Sequence, residues 1–221
     1  MAIRKIKRKY FFSVEGETEQ WYLEWVKNQI NKEETATCEV VFDVKIEKNP
    51  VKRVRGMTII GKTEVWHLSD YESDEDVHKE QFIETMDKMK EAQGIKQVKY
   101  FFGYSNLAFD LWIVLHKSNC NGPKSHRRQY LIDINRAYDE NFENMHQYKH
   151  EGNFKRCLSK LTLADVKEAI LRAKTIMNNL AENQAQIRQY KGFSYYTENP
   201  SLEIWRILEK IPQISHKIFL T

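Results

Sequence analysis

The sequence predicts a single-domain α/β fold, a mainly parallel sheet flanked by helices with a helical C-terminal half. Three observations carry this reading. Up to about residue 120, short aromatic and β-branched runs alternate with stretches of helical periodicity, as strands joined by crossover helices do. Beyond the Asn-Gly-Pro break at 121–123, helical patterns dominate. Eight glycines and four prolines in 221 residues leave no flexible linker at which to divide the chain. The expected organisation is an α/β core over about 7–120 and a helical extension over about 121–221, packed on or beside it.

The first expected strand, Lys7–Val14, contains Tyr10, Phe11, Phe12 and Val14 and stops at Glu15-Gly16. A helix is expected from Glu17 or Thr18, because Trp21, Tyr22, Trp25, Val26 and Ile30 recur at i, i+3/i+4. Glu39–Ile46 alternates as a strand should, and Thr63–Leu68 reads as another that ends in Ser69-Asp70. Asp76–Gln93 places Val77, Phe82, Ile83, Met86 and Met89 on one helical face, with Gly94 as its stop. Val98–Phe102 reads as a strand and Leu107–His116 as a buried apolar helix. In the extension, helices are expected over roughly Arg127–Asn141, Leu163–Gln189 and Leu202–Lys210.

Composition bounds the class. The 35 basic and 31 acidic side chains leave a net charge of +4, too small to name a partner. The basic residues gather at Arg4–Lys9, Lys52–Arg55 and Lys124–Arg128, which are either solvated surface or contacts for a polyanion. Cys38, Cys120 and Cys157 are far apart and form no CxxC pair, so they read as small buried hydrophobes in a reducing compartment. The apolar run Tyr10–Val14 is too short for a signal peptide, and no window approaches a membrane span. A soluble cytoplasmic protein with no membrane partner is expected.

In a parallel sheet the ligand site lies at the carboxyl ends of the strands. Three expected strand ends supply Glu15, then Asp70 with Glu72, then Ser105-Asn106. A hard cation such as Mg²⁺ (or Mn²⁺) takes one or two protein carboxylates, with water and substrate phosphate completing its shell. Asp70-x-Glu72 offers two such groups, and Glu15 offers a third ligand or a general acid/base. The bland readings stand beside these: DYESDED as a solvated acidic loop, and Glu17 and Glu19 as partners of a helix dipole. Asn106 caps the next helix or orients a phosphate. His116 is an active-site group or hydrogen-bonds the last helical carbonyls. Phe109 and Trp112 read as core. His146 and His150 have i, i+4 metal spacing but no third ligand nearby in sequence. The chain contains no P-loop, no Ser–His–Asp elbow and no DxDx[TV] phosphatase motif.

Val14–Lys27 (VEGETEQWYLEWVK), His67–Ser73 (HLSDYES) and Tyr104–Lys117 (YSNLAFDLWIVLHK) occur in the order found in RloB-like proteins, which this chain resembles. The first is similar to an EGxTE-x-x-Y motif through Glu15, Gly16, Thr18, Glu19 and Tyr22. The second resembles the DxD motif of Toprim domains, with Glu72 at the second acid. The third is similar to SNPxFExWxLLH through Ser105, Asn106, Phe109, Trp112, Leu115 and His116, with Leu107-Ala108 in place of the proline and Asp110 for the glutamate. Asn199–Trp205 (NPSLEIW) resembles the family's closing segment.

The resemblance implies a Toprim-like core and an Mg²⁺-dependent endonuclease. In that reading Glu15 is the general acid/base, Asp70 and Glu72 hold the metal (Glu15 serving as a further ligand), and Glu19, Asn106 and His116 complete the catalytic set. It also implies RNA (tRNA included) or DNA as substrate, a prokaryotic or phage-related antiviral defence role through abortive infection, and a separate ATPase partner. A homo-oligomer fits as well. The alternative is a catalytically silent Toprim-like module that binds nucleic acid or the ATPase.

Overall fold

In a computed structural model, which describes residues 5–34, 36, 38–120, 122–212 and 214, the strand–helix alternation is realised directly. Strand β1 (Ile6–Val14) leads to helix α1 (Glu17–Lys32), then β2 (Cys38–Ile46), the short α2 (Pro50–Arg55) and β3 (Thr63–Asp70). Next come α3 (Asp76–Gln93), β4 (Val98–Asn106) and the short α4 (Asp110–Leu115). The C-terminal part holds α5 (Tyr130–Tyr138), α6 (Met145–Lys149), α7 (Glu151–Ser159), α8 (Leu163–Glu182), β5 (Ile187–Tyr190), β6 (Phe193–Tyr196), β7 (Ser201–Leu202) and α9 (Trp205–Glu209).

Five strands form one sheet in the order β2-β1-β3-β4-β7. The first four are parallel, and β7 adds antiparallel to the end of β4, pairing Ser105 with Leu202 and Asn106 with Ser201. Side chains alternate between two buried layers, as period 2 requires. Trp66 and Leu68 pack with α1, α4 and α8 on one face. Val65, Tyr100, Phe102 and Tyr104 pack with α2 and α3 on the other. The extension is part of the first layer: Tyr130, Ile134, Phe154, Ile170 and Ile207 share one buried cluster with Phe12 and Trp112. Cys38, Cys120 and Cys157 are all buried.

The departures from expectation have local causes. Helix α2 was hidden in a basic stretch, yet Asn49 Oδ1 accepts from the Val51 and Lys52 amides and Pro50 opens the first turn. The last expected helices are shorter than their periodicity suggests. α8 begins at a capping box in which Thr162 and Asp165 satisfy each other's amides, but it ends at Glu182 rather than Gln189. The chain then turns through Gln184 at φ +57° into the hairpin β5–β6. Lys191 (φ +51°) and Gly192 (φ +89°) form its two-residue turn, where consecutive positive φ values match the strand twist. Ser201–Leu202 is strand, so the final helix starts only at Trp205. The C-terminal half is therefore helical with a β-hairpin and a fifth sheet strand added.

Candidate functional site

The carboxyl ends of β1 and β3 meet at an open cleft of about 340 Å³, lined by Glu15, Ser69, Asp70, Glu72, Lys48 and His78 among others. Ser69 Oγ donates to Glu15 Oε1 at 2.6 Å and fixes that carboxylate against the neighbouring strand. Asp70 is the last residue of β3, and its Oδ1 accepts the Phe109 amide at 2.7 Å at the start of α4. The acid that sequence places at a strand end thus also caps the following helix from outside.

Glu19 lies in the first turn of α1 and is buried. Thr18 Oγ1 donates to its Oε2 at 3.0 Å. The glycine of EGETE makes room for it, since a Cβ on Gly16 would sit 3.2 Å from Glu19 Oε2. Asp110, in the first turn of α4, is buried and faces Lys149 Nζ of α6 at 3.0 Å. Glu15, Glu19, Asp70 and Asp110 form one electrostatic unit. Burial, then Glu19 and Glu15, raise the Asp70 carboxyl well above the usual carboxylate range. Burial raises Glu15 and Glu19 as well, opposed by Ser69 and Lys48 at Glu15 and by Lys149 at Glu19. Burial works against the Lys149 charge, yet Asp110 and Asp70 hold that ammonium above its ordinary value. Carboxylates drawn together and partly withdrawn from water in this way favour a proton or a cation.

Three expected members, Glu72, His116 and Asn106, are differently placed. Glu72 is not aligned with Glu15 and Asp70 but turns to His78 Nε2 at 3.0 Å and Arg127 at 3.5 Å. Its φ is +63°, its amide donates to the Leu107 carbonyl at 2.8 Å, and its side chain lines the same cleft while held by those two basic partners. Among the described residues no three His, Cys, Asp or Glu side chains are arranged to hold a metal ion. Of the three expected ligands, Glu72 is thus the one whose carboxylate is already engaged by basic side chains.

His116 lies in the core rather than in the cleft. Its Nδ1–H donates to the Trp112 carbonyl at 2.8 Å, and Nε2 accepts from the Tyr22 hydroxyl at 3.0 Å. Burial lowers its pKa to about 4, leaving a neutral imidazole. Asn106 is buried too, its Nδ2 donating to the Thr197 carbonyl at 2.8 Å, so it ties β4 to the segment before β7 rather than capping α4. His146 and His150 line a second cleft with Lys149, Arg127 and Arg128. Of the basic clusters, Arg4 lies outside the described residues, Lys7 and Lys9 pair with Glu39 and Asp43, and Arg53 is buried against Asp43. Ser69 and Lys149 are the site members that sequence reasoning missed. Only adjacence to Asp70 and to the His146/His150 pair marked them.

No helix among the described residues is long and apolar enough to cross a membrane. No curated protein and no solved structure matches the chain. The family model of RloB-like proteins matches residues 10–211, nearly the whole of the folded chain, and the protein belongs to that family.

Proposed function

We propose that this RloB-like protein is a metal-dependent nuclease of Toprim type, cleaving phosphodiesters of RNA or DNA. The observation that supports it is the pairing of Glu15 and Asp70 at adjacent parallel strand ends, both carboxyls raised by burial and by the charge of Glu19, with Glu15 raising Asp70 further. Mg²⁺ or Mn²⁺ bound there would neutralise charge developing on the scissile phosphate. Asp70, its Oδ1 fixed by the Phe109 amide, would offer its carboxylate to the cation. Glu15 is the proton carrier: Ser69 holds one oxygen, and its raised pKa brings the carboxyl nearer the working range of a general acid/base. Lys149 balances Asp110 and Glu19 from below. A cytoplasmic setting, a role in prokaryotic or phage-related defence and a separate ATPase partner belong to the same reading.

The test is cleavage of a total tRNA pool and of a plasmid, with Mg²⁺ or Mn²⁺ and with EDTA. Metal-dependent cleavage that disappears in Glu15→Ala supports the nuclease and chooses between RNA and DNA. Cleavage that persists unchanged in Glu15→Ala overturns the assignment of the site.

One observation favours a second reading, a silent module that binds nucleic acid or the ATPase. Glu72 is engaged by His78 and Arg127, which leaves two acidic ligands where the motif offers three. A Mg²⁺ titration separates the readings: the enzyme binds the ion with an affinity that falls sharply in Asp70→Ala, while the module shows weak binding in both.

A further inference from the structure

Beside the carboxylates, α1 and the segment from Arg127 to Glu151 enclose a second cleft of about 710 Å³. Trp21, Arg127, Arg128, His146, Lys149 and His150 line it. We infer that this cleft binds the backbone of a single-stranded nucleic acid and delivers one phosphate to Glu15 and Asp70.

The charge is suited to a polyanion. Arg127, Arg128 and Lys149 are three permanent cations, joined by two imidazoles, against the acids Glu17 and Glu151. Glu151 is already paired with Lys155, and Arg128 has no carboxylate partner among the described residues. Arg127 and Lys149 meet Glu72 and Asp110, as Lys7, Lys9, Lys52 and Arg53 elsewhere meet Glu39, Asp43 and Glu47, so Arg128 is the cation of this cleft left to an incoming phosphate.

Position ties the cleft to the chemistry. Lys149 Nζ is 3.0 Å from Asp110, and the charge of Lys149 acts on Asp70. Arg127 reaches Glu72, which lines the carboxylate cleft, at 3.5 Å. A strand lying along Arg128 and Lys149 therefore arrives beside the acids. Trp21 decides for a single strand. A partly exposed indole in a cationic groove gives an unpaired base a stacking surface, which a duplex with its bases already stacked does not use.

The inference rests on the nuclease reading for the fate of the phosphate, but binding needs no catalysis and is measured without it. Fluorescence anisotropy of labelled 12-nucleotide single-stranded RNA, the same sequence as DNA, and a 12-base-pair duplex is followed in EDTA with Glu15→Gln, which keeps the cleft. The single strands are expected to bind at least tenfold more tightly than the duplex. Arg127→Ala with Arg128→Ala, both on exposed side chains, is expected to weaken that binding at least tenfold. The same double variant should flatten the slope of log K against log salt by about 1–1.5, at roughly 0.7 for each phosphate no longer neutralised. Trp21→Ala is expected to weaken binding about tenfold, the size of one base stack, with Trp21→Phe recovering most of it. Equal affinity for duplex, or single-strand binding untouched by the double arginine variant, overturns the cleft. Single-strand binding that depends on these residues in a chain that cleaves nothing supports the cleft and removes only the nuclease reading.

Discussion

Helices α1 and α4 each carry two kinds of buried polar group, and the two kinds are built on opposite terms. Glu19 and Tyr22 lie three residues apart on α1, and Asp110 opens the helix that His116 follows. Around His116 every partner is complementary: a hydroxyl donates to Nε2 and Nδ1–H donates to a carbonyl, so the neutral ring needs nothing from outside. Around Asp70 the neighbours are alike, and each carboxylate raises the pKa of the next. A core tolerates the first arrangement for its own sake. The second is costly to fold, and a proton, a cation such as Lys149 or a bound metal relieves it. Polar burial alone therefore does not mark a site; unresolved like charge does.

The largest expected effect separates the two sets by activity. Asp70→Asn and Glu15→Gln are expected to lower cleavage by roughly 10²–10⁴-fold, the range of a lost acid–base or charge-stabilising group. His116→Gln is expected to leave the cleavage rate of the folded protein within a few-fold while lowering stability by about 1–3 kcal/mol, the cost of leaving a buried partner unsatisfied. Single-turnover cleavage and urea denaturation on the same preparations check both. Loss of activity at full stability in His116→Gln would erase the distinction.

A pH experiment tests the carboxylate set without any substrate. The Asp70 carboxyl is held above its ordinary 3.8 in the folded chain. The native state therefore keeps a proton that the unfolded chain has released, and stability falls as pH rises from about that ordinary value through the folded one. Asp70→Asn removes this loss and keeps an oxygen to accept the Phe109 amide. In metal-free buffer the variant is expected to melt above the wild type at neutral pH, by roughly 2–4 °C for each kcal/mol relieved. The difference should vanish below about pH 4, where both states are protonated. Mg²⁺ should then reverse the order, since an ion at a hundred times its Kd stabilises by about 2.7 kcal/mol only the chain that binds it. A wild type more stable than Asp70→Asn in EDTA at neutral pH would show that the carboxylates do not repel.

Why is one set legible in sequence while the other stays between two readings? The strands announce themselves through Tyr10–Val14 and Thr63–Leu68, and a parallel sheet puts Glu15 and Asp70 at one edge whatever the details. That inference needs only topology. His116 and Asn106 were grouped with them because a motif is contiguous in sequence, whereas β4 continues to Asn106 and α4 turns the ring of His116 into the core. Lys149 lies nearly eighty residues from Asp70 in sequence, and no periodicity foretells that α6 presents it to Asp110. The hairpin was missed because the α8 pattern runs on toward Gln189, although Lys191-Gly192 between aromatic runs was a turn signal. Local chemistry is readable in a single sequence; which long-range partners meet is decided by packing.

On the complementary side, Tyr22→Phe isolates one hydrogen bond. It removes the hydroxyl that donates to His116 Nε2 and leaves that nitrogen buried without a donor. A loss of about 1 kcal/mol is expected, with the Mg²⁺-induced shift in Tm unchanged. A reduced shift would mean that the two sets communicate along α1.

The smallest effect is expected at Glu72, which lies between the two sets in character. Its carboxylate meets His78 and Arg127 with side chains about a third exposed to a half exposed, and such surface pairs contribute roughly 0–1 kcal/mol. Glu72→Gln should therefore change stability by less than about 1 kcal/mol and keep the Mg²⁺-induced shift in Tm that Asp70→Asn loses. Glu72→Gly goes further, because glycine adopts a φ of +63° without the roughly 1 kcal/mol that a side chain costs in the left-handed region. It should match or exceed the wild type in stability even without the two ion pairs. If either variant abolished the Mg²⁺ shift, Glu72 would have to leave Arg127 and join Asp70 when the ion binds. The acidic set would then be completed by a loop movement, and Arg127 would be released to the phosphate as the metal arrived.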